Sequence, residues 1–248
     1  DLEKTIKEYQ PQTIYNLAGQ SSVGKSFIQP VETLESIVNG SLNILQIAKK
    51  IKYEGKIFFA GSSEIFGNVS SKADINHKQN PISPYAISKQ TSYNLVKLFR
   101  DVYGIQCMTG IFFNHESELR STSFVTQKII KTVDDIYKHK QKTLTIGNWE
   151  IIRDWGWAEE YVEATQLITE SKKVKDYVIC TGNPYSLKTF IKKVFAKYNL
   201  DWSEFIVVDK NLFRSNEIMR SCGDPEPLYK EQGWKAKMGI DSIIERMI

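Results

Sequence analysis

A chain of 248 residues, 41% hydrophobic and 25% charged, has the make-up of an ordinary globular protein, with enough length to bury the core of one large domain or of one domain plus a smaller lobe. Its net charge of +4 is spread along the whole sequence, with no basic block interleaved with aromatics; this argues against nucleic acid as a partner and leaves a mild attraction for an anionic substrate. No apolar run reaches transmembrane length, no signal peptide is visible, and Cys107, Cys180 and Cys222 are widely spaced, so a soluble cytoplasmic protein without disulfides or membrane contact is expected.

In chain order, the first element is a helix with Leu2, Ile6 and Tyr9 at helical spacing, stopped by Pro11. A strand follows over 13–18. A long helix then carries Leu34, Ile37, Val38, Leu45, Ala48 and Ile51, spaced by threes and fours. The run 56–60 is nearly all apolar, as suits a strand buried on both faces. Ser83 can cap the next helix and Pro84 suits its first position, and that helix runs to about Tyr103. A strand over 106–113 comes next. Beyond it the pattern loosens into a helix over 123–138, a short strand over 143–146, and helices near 158–171, 186–198 and 239–248.

Alternating strands and helices predict an α/β fold with a parallel sheet covered on both faces. Ligands of such sheets bind beyond the carboxyl ends of the strands, so segments 17–21, 60–64 and 113–120 face one crevice. The expectation is a partial Rossmann-like, doubly wound sheet over 1–115. A smaller α/β substrate-binding lobe over 116–248 returns some chain to the first part. No glycine-rich phosphate loop follows a first strand, and the half of the sheet that would supply it is expected to precede residue 1.

The chemistry concentrates at the end of the second strand. Ser62, Ser63 and Glu64 follow it, as either a solvated polar turn or a proton shuttle in which a carboxylate takes a proton from carbon and a hydroxyl helps water leave. Tyr85 and Lys89, four apart, share a helix face, and a lysine there can lower the pKa of the phenol. Tyr93 and Lys97 repeat the spacing, but two turns further from the strand ends. Arg153 and Arg214 suit a diphosphate, whose oxygens match a guanidinium fork, or are packing arginines; Lys128 is a weaker candidate. His77, His115 and His139 show no metal-ligand spacing, and no metal is expected.

The run Tyr15-Asn16-Leu17-Ala18-Gly19-Gln20-Ser21-Ser22-Val23, the Ser62-Ser63-Glu64 turn and the Tyr85…Lys89 pair resemble the extended short-chain dehydrogenase/reductases. The series Phe113-Asn114-His115-Glu116-Ser117, Phe124-Val125-Thr126-Gln127-Lys128, Gly147-Asn148, Arg153-Asp154-Trp155-Gly156, Phe213-Arg214 with Glu217, Gly223-Asp224-Pro225 and Gly233-Trp234 is similar, in order and over nearly the whole chain, to the GDP-mannose 4,6-dehydratase family. That resemblance implies NADP as cofactor, with NAD left open, and a nucleotide-diphosphate sugar as substrate, either GDP-mannose or a related GDP-sugar such as a GDP-heptose. It implies that Ser62, Glu64, Tyr85 and Lys89 are catalytic. Leu17, Ala18, Gly19, Gln20, Ser21, His115 and Arg120, with Tyr85 and Lys89, would contact the cofactor. Asn114, Val125, Lys128, Asn148, Arg153, Arg214 and Glu217 would hold the nucleotide. A homo-dimer or homo-tetramer is implied for the full-length protein.

Where the family usually has Thr, His and Arg, this chain has Ser62, Ser22 and Gln127. Glu118-Leu119-Arg120 replaces a Pro-Arg-Arg run, and Trp157 stands for His or Tyr. These departures are expected near the sugar and cofactor. Two rival readings are a reductase of the 4-keto product and a non-catalytic nucleotide-binding remnant.

Overall fold

Helix α1 (Leu2–Tyr9) leads into strand β1 (Thr13–Asn16), helices α2 (Val23–Ile28) and α3 (Pro30–Leu34), a π-helical turn (Glu35–Asn39) and helix α4 (Gly40–Ile51). Strand β2 (Lys56–Ser62) runs into a 3-10 turn (Ser63–Phe66), and helix α5 (Pro84–Tyr103) returns the chain to β3 (Cys107–Phe112). Then come β4 (Asn114–Glu116), α6 (Val125–Tyr137), β5 (Leu144–Ile146), β6 (Ile152–Trp157), α7 (Ala158–Glu170) and β7 (Tyr177–Ile179). The chain closes with β8 (Pro184–Ser186), α8 (Leu187–Lys197), β9 (Ile206–Val208), α9 (Glu226–Gln232) and α10 (Ile240–Met247). The computed structural model describes residues 2–213 and 216–248.

The first sheet has the order β1-β2-β3-β7, every pair parallel. Alternate side chains of β2 go to opposite faces, as the pleat requires. Ile57 and Phe59 pack with Leu45, Ala48, Val96 and Phe99 from α4 and α5. Phe58 packs on the other side with Tyr161, Ala164 and Ile168 of α7 and Leu228 of α9. The sheet is therefore doubly wound, as the alternation of elements predicts. Ser83 caps α5, its side chain accepting from the Ala86 N–H at 3.0 Å, and Pro84 takes the first helical position.

The later chain builds a second core, where α6, α8 and α10 enclose Trp155 and Trp157 of β6. Its strands form a β4-β6-β8 sheet and a parallel β5-β9 pair. Between these cores runs segment 218–223, bonded to β6 on one side (Ile152 N–H to Met219 C=O, 2.7 Å) and to the loop after β2 on the other (Ala73 N–H to Cys222 C=O, 2.9 Å).

Several elements differ from expectation. The helix read as continuous from residue 34 is two α-helices joined by the π turn. Strand β1 stops at Asn16. The run Arg153-Asp154-Trp155-Gly156, for which no element is predicted, lies within a buried strand. Strand β7, unpredicted, completes the first sheet. Its approach is fixed by Asp176, which takes two hydrogen bonds from the Arg100 guanidinium (2.8 and 2.7 Å) and one from the Thr109 N–H (2.7 Å). Such three-residue strands are too short to show a period, and pairing with distant partners decides them. Among the described residues no helix is long and apolar enough to cross a membrane.

Candidate functional site

Strand β2 ends at Ser62, whose hydroxyl accepts from the Glu64 N–H at 3.3 Å and so starts the 3-10 turn that carries Glu64. The start of α5 brings Tyr85 to the same place. The Ser62 hydroxyl and the charges of Glu64 and Arg120 all act on its phenol. Burial pushes the Tyr85 pKa up to about 12, Glu64 adding to the rise while Ser62 and Arg120 oppose it. Tyr93 lies elsewhere, packed among Ile65, Phe66 and Ile111 and facing the charges of Asp176 and Arg100.

Lys89 corrects one expectation. Its ammonium donates to the Ala60 carbonyl at 2.7 Å and sits 5.9 Å from the centre of the Tyr85 ring. It does not bring the phenol below its ordinary value, because burial outweighs every charge near Tyr85. Burial also lowers the lysine itself, to about 8. Lys89 here ties α5 to the carboxyl end of β2.

Beyond β3, His115 Nδ1 lies 2.9 Å from the Phe113 carbonyl, and its ring packs on Phe112 and Tyr161 at 5.3 Å each. Burial lowers the imidazole pKa and so favours a neutral ring; the Phe113 carbonyl opposes this, and the Arg120 charge adds to it. Arg120 donates to the His115 carbonyl at 2.7 Å and lies 4.0 Å over the Phe124 ring. Its Nε is 3.0 Å from Glu116, a close ion pair in which the N–H is not aimed along the contact. Glu116 is 1% exposed, and burial raises its pKa to about 7 against the pull of Arg120 and Thr126.

The turn after β1 opens at the same end of the sheet. Leu17 is 63% exposed, and Gly19 has φ +132° with Ile37 of the π turn 3.1 Å from where a Cβ would stand. The positive φ strains any side chain there and Ile37 crowds it, so glycine leaves bare backbone beside the crevice. Gln20 turns inward: its amide donates to the Ser22 carbonyl and to Thr33 Oγ1, while its N–H donates to Ser36 Oγ at 3.3 Å. Ser22 caps α2 through the Lys25 N–H. An exposed turn with no side chain at Gly19, beside a Tyr and a Lys one helical turn apart, fits a nicotinamide cofactor.

The nucleotide candidates are more dispersed. Asn114 pairs in register with Trp155 on β6. Val125 and Lys128 open α6, with Lys128 donating to the Thr145 carbonyl at 3.3 Å. Asn148 and Arg153 meet segment 217–219: Asn148 Nδ2 is 3.3 Å from Met219 Sδ, and Arg153 donates to the Ile218 carbonyl at 2.7 Å and lies 3.5 Å from Glu217. Arg214 lies outside the described residues. Trp157, expected near the sugar or cofactor, is buried in the second core beneath Arg246, its backbone paired with Glu116. Sequence reasoning noted Glu116 only as part of a motif. Its sole sequence signal is a carboxylate just past a strand with an arginine four residues on.

The sequence profile of the family described as GDP-mannose 4,6 dehydratase matches residues 1–247. The chain is 34% identical over 251 residues to GDP-mannose 4,6 dehydratase 1 of Arabidopsis thaliana, covering 100% of this chain and 70% of that one. Among solved structures, RMD from Pseudomonas aeruginosa complexed with NADPH superposes with a TM-score of 0.86 at 22% identity, over 96% of this chain and 81% of that one. A double mutant of DesIV, a dTDP-glucose 4,6-dehydratase from Streptomyces venezuelae with NAD and DAU bound, gives 0.89 at 18%, over 99% and 74%.

Proposed function

The chain belongs to the GDP-mannose 4,6-dehydratase family, and we propose that it removes water from a GDP-linked sugar, GDP-mannose or a close relative such as a GDP-heptose, to give the 4-keto-6-deoxy sugar. The observation that carries this reading is the convergence of Ser62, Glu64 and Tyr85 at the carboxyl end of β2. A hydroxyl and a carboxylate both act on the phenol, so two protons can be handled at one place.

In this reading Tyr85 takes the proton of the sugar 4-hydroxyl, a transfer that its high pKa permits only once a bound ligand has changed its surroundings. Glu64 removes the proton at carbon 5, which the neighbouring ketone makes acidic. Ser62 assists departure of the 6-hydroxyl as water. Lys89 fixes the strand end through Ala60. A bound nicotinamide, NADP in our reading, supplies reversible two-electron exchange with the sugar and is not consumed. Leu17, Ala18, Gly19, Ser21, His115 and Arg120 would hold it. The part of Gln20 is to shape that turn. The lobe after residue 115 would hold the nucleotide through Asn114, Val125, Lys128, Asn148, Arg153, Arg214 and Glu217. We also place the protein in the cytoplasm. We read the exposed stripe Ile87, Leu98 and Val102 along α5 as a face for a second copy.

Incubation of the intact protein with GDP-, UDP- and dTDP-sugars, followed by mass spectrometry, tests the reading. Loss of water from a GDP-sugar without net cofactor use is the expected result. Net oxidation of NADPH without water loss would establish the reductase instead. Glu64→Gln and Tyr85→Phe should each slow water loss by about 10²–10⁴ while sugar-nucleotide binding persists, and Tyr93→Phe should leave it nearly unchanged.

A further inference from the structure

Glu116 takes no part in the chemistry above, yet two elements converge on one of its oxygens. Thr126, in the first turn of α6, donates to Glu116 Oε2 at 2.8 Å. Arg120 Nε lies 3.0 Å from the same atom. Thr126 stands between Val125 and Lys128, the residues assigned to the nucleotide. Arg120, whose field reaches Tyr85 and His115, is assigned to the cofactor.

A carboxylate is a costly way to fill a buried gap. It loses its hydration, and only partners of good geometry compensate. Packing alone would be met by an apolar side chain of the same size. What an apolar side chain cannot do is select one rotamer of the long Arg120 side chain. That side chain leaves a loop between β4 and α6 and, among the described residues, is otherwise held by the His115 carbonyl and the Phe124 face. The backbone that carries the carboxylate is itself fixed, since Glu116 pairs in register with Trp157 of β6.

We propose that Glu116 is a positioning residue that sets Arg120 against the cofactor side of the crevice and, through Thr126, holds the first turn of α6 against the nucleotide. One buried oxygen thereby aligns both halves of the binding site. This rests on the functional reading above.

The test titrates NADP and GDP separately into the intact protein by calorimetry, for the parent, Glu116→Gln and Thr126→Val, with a thermal midpoint for each. Glutamine keeps an acceptor for Thr126 and removes the charge that holds Arg120. Its NADP dissociation constant should rise about tenfold while that for GDP stays within about twofold. Thr126→Val should do the reverse, weakening GDP by about fivefold and sparing NADP. Parent-like NADP binding by Glu116→Gln would overturn the proposal. So would equal weakening of both ligands in both variants, or a loss of affinity that follows a matching fall in thermal midpoint. A parent protein that binds neither ligand would sink the functional reading and this inference with it. A parent that binds both, beside an indifferent Glu116→Gln, would sink this inference alone.

Discussion

Two buried polar clusters serve the crevice, and they are bonded in opposite ways. At β6, both oxygens of Asp154 are saturated. Oδ1 accepts from the Thr181 N–H (3.0 Å) and hydroxyl (2.6 Å), and Oδ2 from the N–H groups of Gly182 (2.9 Å) and Gly223 (3.3 Å). At the end of β2, buried Tyr85 and half-buried Lys89 hold few partners, and loss of hydration drives both away from their ordinary pKa values. Burial raises the Asp154 pKa too, yet four donors oppose it. The comparison separates a joint from a reactive centre: a saturated carboxylate fastens three segments, whereas groups displaced in pKa with few bonds are poised to exchange protons. A perturbed pKa alone would have put both in one class.

The contrast can be tested by substitution. Asp154→Asn turns an amide N–H group towards donors and leaves them unpaired, so we expect a loss of about 3–5 kcal/mol in urea unfolding. A change under about 1 kcal/mol would show that the joint is not needed. Lys89 gives a prediction in pH. Its folded pKa of about 8 lies below the unfolded value, so between about pH 8 and 10.5 the folded state binds fewer protons than the unfolded one. Stability therefore rises with pH across that window, by about 3 kcal/mol in total, and the penalty is fully present below it. Lys89→Met should abolish this rise, read as the difference between parent and variant urea midpoints at a series of pH values. The smallest effect concerns Tyr161, whose buried hydroxyl has no hydrogen-bond partner among the described residues. Tyr161→Phe should raise stability by about 1 kcal/mol, seen as an upward shift in thermal midpoint.

Much of the reactive centre was legible because its signals are local. Ser83 and Pro84 mark the helix start, and that start places Tyr85, not Tyr93, beside the strand end. The apolar run of β2 likewise announces a strand buried on both faces. The saturated cluster was not legible, since Asp154 finds its partners 27 and more residues away, at Thr181, Gly182 and Gly223. The same distance hid the strand nature of 152–157 and the burial of Trp157, which depends on α8 and α10 arriving from the end of the chain. The carbonyl that captures Lys89 is likewise a tertiary fact. Spacing puts a lysine near a tyrosine, but only packing decides where its charge goes.

Strand β7 bears on how the protein is made. It pairs with β3 along Gly110, Ile111 and Phe112, but the chain must first pass through β4, α6, β5, β6 and α7 before Tyr177 exists. On a ribosome adding about 5–20 residues each second, the apolar flank of β3 waits on the order of ten seconds for its neighbour. Throughout that interval the unpaired edge can recruit another nascent chain. The arginine of α5 waits as well, for Asp176. Folding of the first sheet is thus timed by synthesis of the second lobe. Slowing translation between residues 113 and 176 should lengthen chaperone dependence more than slowing it anywhere after 180.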